Sequence, residues 1–209
     1  MTTTKTQTPP RVYAAVLAAG QSRRFGATKL LQRWQGEALV RRAVNVATNA
    51  CGAQTLLITG HEHLEICEAV QPFDGFIAHN ANFAAGMGTS IATAAAALRH
   101  VADAILIVLA DQPLVTADHL SAMIRAWSGD PLHVVASRYA GTIGAPVLLP
   151  AACFAELMNL NGDVGARAIL DEERFRIQSL DFEAAALDID TPDDLEQRSQ
   201  FTQPESPST

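Results

Sequence analysis

The chain has 209 residues, of which 48% are apolar, 18% charged and 6% aromatic. That is the composition of a globular protein long enough to bury a core without disulfide or metal staples. Fifteen basic residues against 22 acidic ones leave a net charge of −7, which excludes general nucleic-acid binding because phosphate attraction needs a basic surface.

The opening MTTTKTQTPP lacks the apolar stretch of a signal peptide. Residues 1–10 and 202–209 (TQPESPST) are expected to be disordered tails around a single domain, residues 11–201. Val12–Ala19 predicts a buried strand. Leu39, Ala43, Val46, Ala47 and Ala50 then share one helical face. Thr55–Thr59 and Phe76–His79 predict two more strands, and Met87, Ile91, Ala94, Leu98 and Val101 a second helix. Ala104–Ala110 is a strand too short to span a bilayer, so no membrane partner is expected. Leu120, Met123, Ile124 and Trp127 mark a third helix, before apolar runs at Val134–Ser137 and Val147–Leu149. Beyond residue 140 the pattern loosens, as for an excursion from the sheet, and it tightens into a last expected strand at Ala186–Asp190. Thr191-Pro192-Asp193-Asp194 opens a final helix, with Thr as N-cap, Pro at the first position and acids at the positive end. Strands that do not alternate in polarity, interleaved with helices, predict a Rossmann-like three-layer α/β/α sandwich on a mostly parallel sheet. Cys51, Cys67 and Cys153 form no CxxC pair, which argues for free thiols in a reducing cytoplasm.

Ligands of such sheets bind beyond the carboxyl ends of the strands. Three features sit there. The first is Leu17-Ala18-Ala19-Gly20-Gln21-Ser22-Arg23-Arg24-Phe25-Gly26-Ala27-Thr28-Lys29, a strand that runs into small residues, a glycine and three cations. Small side chains admit a ligand to the backbone, whose N–H groups cradle phosphate. The loop carries neither GK[ST] nor GxGxxG, so it is neither a P-loop nor a dinucleotide fingerprint. The second is Asp111, ending the most apolar run before Gln112-Pro113. The third is Leu187-Asp188-Ile189-Asp190, where strand alternation would put both acids on one face. A cationic glycine loop and two acidic strand ends together suit a nucleotide with Mg²⁺, which takes one or two carboxylates plus substrate phosphates.

LAAGQSRRFGATK resembles the LAAGxSxRxGxxK signature of the nucleotidyltransferases that complete the molybdenum cofactor. Asn82 with Gly86-Met87-Gly88-Thr89-Ser90, Asp111-Gln112-Pro113, Gly162-Asp163-Val164-Gly165-Ala166-Arg167 and Asp190-Thr191-Pro192 follow in the family's order. LAAG in place of LAGG, together with the GDxGAR block, resembles the cytidylyl rather than the guanylyl branch. The resemblance implies transfer of CMP from CTP to the terminal phosphate of molybdopterin, with Mg²⁺, or alternatively Mn²⁺, as cofactor. It implies that Arg24 and Lys29 hold phosphates and that Asp111 and Asp190 hold the metal, with Asp188 a further candidate ligand. Nucleotide contacts would come from Leu17, Ala18, Ala19, Gly20, Ser22, Arg23, Asn82, Gly86 and Ser90. Acceptor contacts would come from Gly144, Pro146, Asp163, Gly165 and Arg167, since arginine and helix N-termini both bind phosphate. The product would pass to a molybdenum hydroxylase or its maturation chaperone.

Four other readings remain open: guanylyl transfer from GTP, another phosphorylated acceptor, a nucleotide-binding sensor or cofactor carrier, and hydride transfer. The missing GxGxxG disfavours the last. Sugar-phosphate and isoprenoid-precursor enzymes usually place Pro before the motif lysine, where Thr28 stands here. His61 and His63 flanking Glu62 read as a polar helix start, and Met87 and Trp127 as core residues.

Overall fold

The computed structural model describes residues 9–21, 25, 28–170 and 172–198. Apart from Pro9 and Pro10, the expected tails lie outside the described residues, as do Ser22, Arg23 and Arg24. In chain order the elements are β1 (Val12–Ala18), a short hairpin β2 (Arg33–Trp34) and β3 (Glu37–Ala38), α1 (Leu39–Cys51), β4 (Thr55–Thr59), α2 (His63–Ala69), β5 (Phe76–His79), α3 (Met87–Leu98), β6 (Ala104–Leu109), α4 (Ala117–Ala126), β7 (His133–Tyr139), β8 (Thr142–Pro150), α5 (Phe154–Leu157), α6 (Arg167–Leu170), β9 (Arg176–Asp181) and α7 (Pro192–Arg198).

Seven strands form one sheet in the order β5-β4-β1-β6-β8-β7-β9. The central strands are apolar throughout because both faces are covered. Ala15, Leu17, Ile105 and Ile107 point into one layer, with Ile91, Ala94 and Leu98 of α3. Ala14, Val16, Leu106 and Val108 point into the other, with Val40, Ala43 and Val44 of α1 and Leu120 and Met123 of α4. β1 pairs in parallel with β4 on one side and β6 on the other, so the chain changes direction across the sheet beside β1. That is where an open α/β sheet leaves a crevice.

β8 runs antiparallel to both β6 and β7. The turn Ala140–Gly141 accounts for this, since φ of +48° and +72° at its two residues reverses the chain directly after β7. The looser pattern beyond residue 140 is therefore a hairpin within the sheet, and β9 returns alongside β7 in parallel. The strand expected at Ala186–Asp190 does not form. Residues 183–186 make a 3₁₀ turn, and the segment after it is extended but unpaired as a strand. Ile189 still buries completely, in a small core with Trp34 and Leu39. The last helix starts as expected, with the Asp194 N–H donating to Thr191 Oγ1 at 3.2 Å and the Thr191 N–H to Asp194 Oδ2 at 2.9 Å.

His119 of α4 is buried, stacks on Phe182 with ring centroids 3.9 Å apart, and holds Nε2 at 2.8 Å from Ser137 Oγ. Burial pushes its imidazole down to about 4. Above pH 6.5 both folded and unfolded chains carry it neutral. As pH falls from 6.5 to about 4, the unfolded chain gains a proton that the folded chain refuses, so stability is lost across that window. Urea unfolding is expected to show this pH-dependent loss, approaching about 3 kcal/mol at its lower end, and His119→Phe should remove it. Parallel pH profiles for the two proteins would refute the assignment.

Candidate active site

β1 and β6 are adjacent and parallel, so the residues that follow them emerge side by side. Gly20 follows β1 and Asp111 follows β6. They line a cleft of about 470 Å³ together with Leu17, Ala19, Lys29, Gly86, Ser90, Asp163 and Asp190. Nothing lies within 4 Å of where a Gly20 side chain would project, so the backbone there is open to a ligand.

The cleft floor carries its charge in one group. Lys29 follows the glycine loop at the start of a 3₁₀ turn and is only 12% exposed in its side chain. Its Nζ donates to Asp111 Oδ2 at 2.8 Å and to Asp190 Oδ1 at 3.2 Å. Burial disfavours the ammonium, but the two carboxylates outweigh this and raise its pKa above the ordinary lysine value. Asp190 reaches Asp111 because the Ile189 N–H donates to the Asp111 carbonyl at 3.0 Å while the Ile189 side chain is buried against Trp34. Lysine loop, strand end and C-terminal segment are thus tied at one point.

Asp188 is not part of the cleft lining. Crowding by protein atoms, then the charges of Asp111 and Asp190, push its carboxyl up to about 6, although the residue is exposed. The segment is extended though unpaired, so Ile189 is buried while Asp188 and Asp190 on either side of it stay exposed. Oxygen-only donors suit a hard divalent cation. Among the described residues, however, no group of three or more His, Cys, Asp or Glu is assembled to hold one, so a metal at Asp111 and Asp190 would complete its shell with substrate phosphate and water.

The opposite wall is built by a close approach of α3 to the 161–165 loop. Gly86 has φ of +112°, and a Cβ there would stand 2.3 Å from the Gly162 carbonyl carbon and oxygen. The Gly88 N–H donates to that oxygen at 2.9 Å. Asn80, buried and missed by sequence reasoning, ties the wall together by donating to Thr89 Oγ1 and Ser90 Oγ at 2.8 and 3.0 Å. Asn82 lies beside it, exposed, outside the cleft lining.

Other expected residues fall differently. Ala18 is buried in the layer of α1 and α4 and does not line the cleft. Gly165 sits beneath Met87, 3.8 Å from its sulfur to an added Cβ. Pro146 is buried in β8, where its carbonyl accepts from Ser137 Oγ at 2.9 Å, and it does not line the cleft. Arg167 is exposed at the start of α6, a single turn, so phosphate capture there would fall to the guanidinium. Met87 is no core residue: it is 44% exposed and lines the cleft, whereas Trp127 is buried as expected. Gln21, Leu30, Phe83, Ala84, Ala85 and Leu109 also line the cleft. They have ordinary loop and strand-end side chains, so nothing in their types marks them beforehand. No helix among the described residues is long and apolar enough to cross a membrane.

A family model described as the MobA-like NTP transferase domain matches residues 14–177. The purine catabolism protein PucB of Bacillus subtilis (strain 168) is 28% identical over 199 residues, 90% of this chain and 95% of that one. The molybdenum cofactor cytidylyltransferase of Escherichia coli (strain K12) is 26% identical over 182 residues, 86% of this chain and 91% of that one. Among solved structures, Rv0371c of Mycobacterium tuberculosis H37Rv in complex with manganese superposes with a TM-score of 0.74 at 25% identity, covering 90% of this chain and 97% of that one.

Proposed function

Starting from the fact that the chain belongs to the MobA-like NTP transferase family and is a nucleotidyltransferase, we propose that it transfers CMP from CTP to the terminal phosphate of molybdopterin. The products would be molybdopterin cytosine dinucleotide and pyrophosphate. The observation that carries this reading is Lys29 Nζ shared between Asp111 and Asp190 beside the open backbone at Gly20. The cytidylyl choice draws on Leu17-Ala18-Ala19-Gly20 and on the E. coli relative's name.

In the reaction an acceptor phosphate oxygen bonds to the α-phosphorus, and the bond from that phosphorus to the bridging oxygen of the leaving pyrophosphate breaks. Anion meets anion, so the protein's work is positioning and charge neutralisation. The Gly20 backbone approaches the nucleotide phosphates, and the Lys29 ammonium offsets their charge. Arg24 belongs to this set by the family motif. Ala19 and Ser90 border the space offered to the base. Asp111 and Asp190 would hold Mg²⁺, or Mn²⁺ as in the Rv0371c complex. A divalent ion there supplies Lewis-acid polarisation of the α-phosphate. No side-chain nucleophile is needed.

The test is a competition. Purified protein with molybdopterin, Mg²⁺ and equal CTP and GTP should yield the cytosine dinucleotide by mass. A guanine product would overturn the base assignment, and no dinucleotide would overturn the acceptor. The Ala19 methyl packs beside Gly60, 2.8 Å from where a Cβ would lie there. Ala19→Gly enlarges that corner and should raise GTP use relative to CTP about tenfold, a difference of about 1.4 kcal/mol. An unchanged ratio would remove Ala19 from the account.

A further inference from the structure

The strand order places two different surfaces on either side of Asp111. β1 lies on one side of β6 and ends at Gly20. β8 lies on the other, antiparallel, so its first residues stand at the same end of the sheet as Asp111. There the β7–β8 hairpin carries Tyr139, the last residue of β7, paired with Thr142. The hairpin tip is held in place, since the Ala140 N–H donates to Glu183 Oε2 at 3.1 Å.

The Tyr139 ring folds back across β8 over Gly144. A Cβ on Gly144 would lie 2.5 Å from the phenolic oxygen, so the glycine is what admits the ring. Beneath it Gln112, 4% exposed, donates through its amide nitrogen to Ala185 O at 2.8 Å and Ala145 O at 3.4 Å, joining the hairpin to the segment that leads to Asp188. The Asp188 carboxylate and the Arg167 guanidinium both lie close enough to the hydroxyl to act on it electrostatically. Burial and then Asp188 raise the phenol above its ordinary pKa against Gln112 and Arg167, so it remains a hydrogen-bond donor at neutral pH.

In an in-line displacement the attacking and leaving oxygens stand on opposite sides of the α-phosphorus. With the nucleotide phosphates over Gly20 and Lys29, as proposed above, an acceptor attacking from the opposite side would approach past the start of β8. We propose that Tyr139 is an acceptor-binding residue, its hydroxyl donating a hydrogen bond to the acceptor's phosphate between Arg167 and the Asp111–Asp190 pair. This inference rests on the transfer reading above and deepens it. It also gives Gly144 a role different from lining the pocket: leaving room for the phenol.

The test is steady-state kinetics of Tyr139→Phe with molybdopterin and CTP varied separately. The variant lacks one oxygen and keeps the ring packed on Gly144. The KM for molybdopterin should rise about tenfold, as for a lost hydrogen bond to a charged group, with the KM for CTP within about twofold of wild type. Tyr13→Phe, whose ring packs toward Phe76 away from the cleft, serves as the control and should change neither constant. An unchanged molybdopterin KM, or equal rises in both constants, overturns the role of Tyr139 alone. Absence of any dinucleotide from the wild-type protein overturns the transfer reading and this inference with it.

Discussion

Asp111→Asn is expected to lower turnover about a thousandfold, about 4 kcal/mol of transition-state stabilisation, while CTP affinity measured without divalent metal stays within about threefold of wild type. The geometry separates the two effects. Asp111 ends β6 beneath the cleft, 27% exposed in its side chain, and is one of two carboxylates bonded to Lys29 Nζ. Lys29 keeps its bond to Asp190 when the Asp111 charge is removed, so its ammonium stays at the cleft floor. What is lost is one of the two carboxylates offered to a divalent ion. Asp190 is 55% exposed, and solvent screens its charge more. Asp190→Asn should therefore lower turnover less than Asp111→Asn. Turnover equal to wild type in Asp111→Asn would remove the metal assignment, and a larger loss in Asp190→Asn would reverse the order of the two ligands.

Gly86→Ala is expected to destabilise the fold by about 2–4 kcal/mol, from a backbone conformation that disfavours side chains and from a direct clash. At φ of +112° the added Cβ would meet the Gly162 carbonyl at 2.3 Å and Asp163 Oδ1 at 2.7 Å. The backbone atoms cannot move aside without separating α3 from the 161–165 loop and breaking the Gly88–Gly162 hydrogen bond. For a chain of this length the melting temperature should fall by about 5–10 °C, and CTP affinity should weaken because the cleft wall opens. Gly20→Ala provides the contrast. Nothing stands within 4 Å of its Cβ, so thermal stability should hold while nucleotide binding suffers from the methyl in the cleft. A melting temperature for Gly86→Ala within about 1 °C of wild type would show that the loop contact does not carry the wall.

The features legible beforehand share a physical cause. Val12–Ala18, Thr55–Thr59 and Ala104–Leu109 are apolar without alternation because helices cover both their faces, and that composition is visible in the chain. The glycine and lysine after β1 and the aspartate after β6 were readable as neighbours lining one cleft because parallel strands bring their carboxyl ends together. β9 was missed. Its residues, RIQSLD, lie at the sheet edge and are exposed or half-buried throughout, a pattern that a surface segment shares. Leu187–Asp190 was misread for the converse reason. Ile189 is as buried as any strand residue, but its partners are Trp34 and Leu39 rather than a neighbouring strand. Met87 fits the helical stripe of α3, yet at the first position of that helix its side chain lies at the cleft and not in the core.

The order of apolar runs and helical stripes was enough by itself to determine the layered α/β architecture, and the small residues, cations and acids at strand ends marked one end of the sheet as the candidate site. These are local properties, set by which residues sit next to one another along the chain. The sharing of Lys29 between Asp111 and Asp190, the closure of Gly86 on Gly162, and Tyr139 folded over Gly144 were decided only by the tertiary structure. Lys29 stands 82 and 161 residues from its two carboxylates, and spacing along the chain carries no record of such distances once strand pairing has chosen the neighbours.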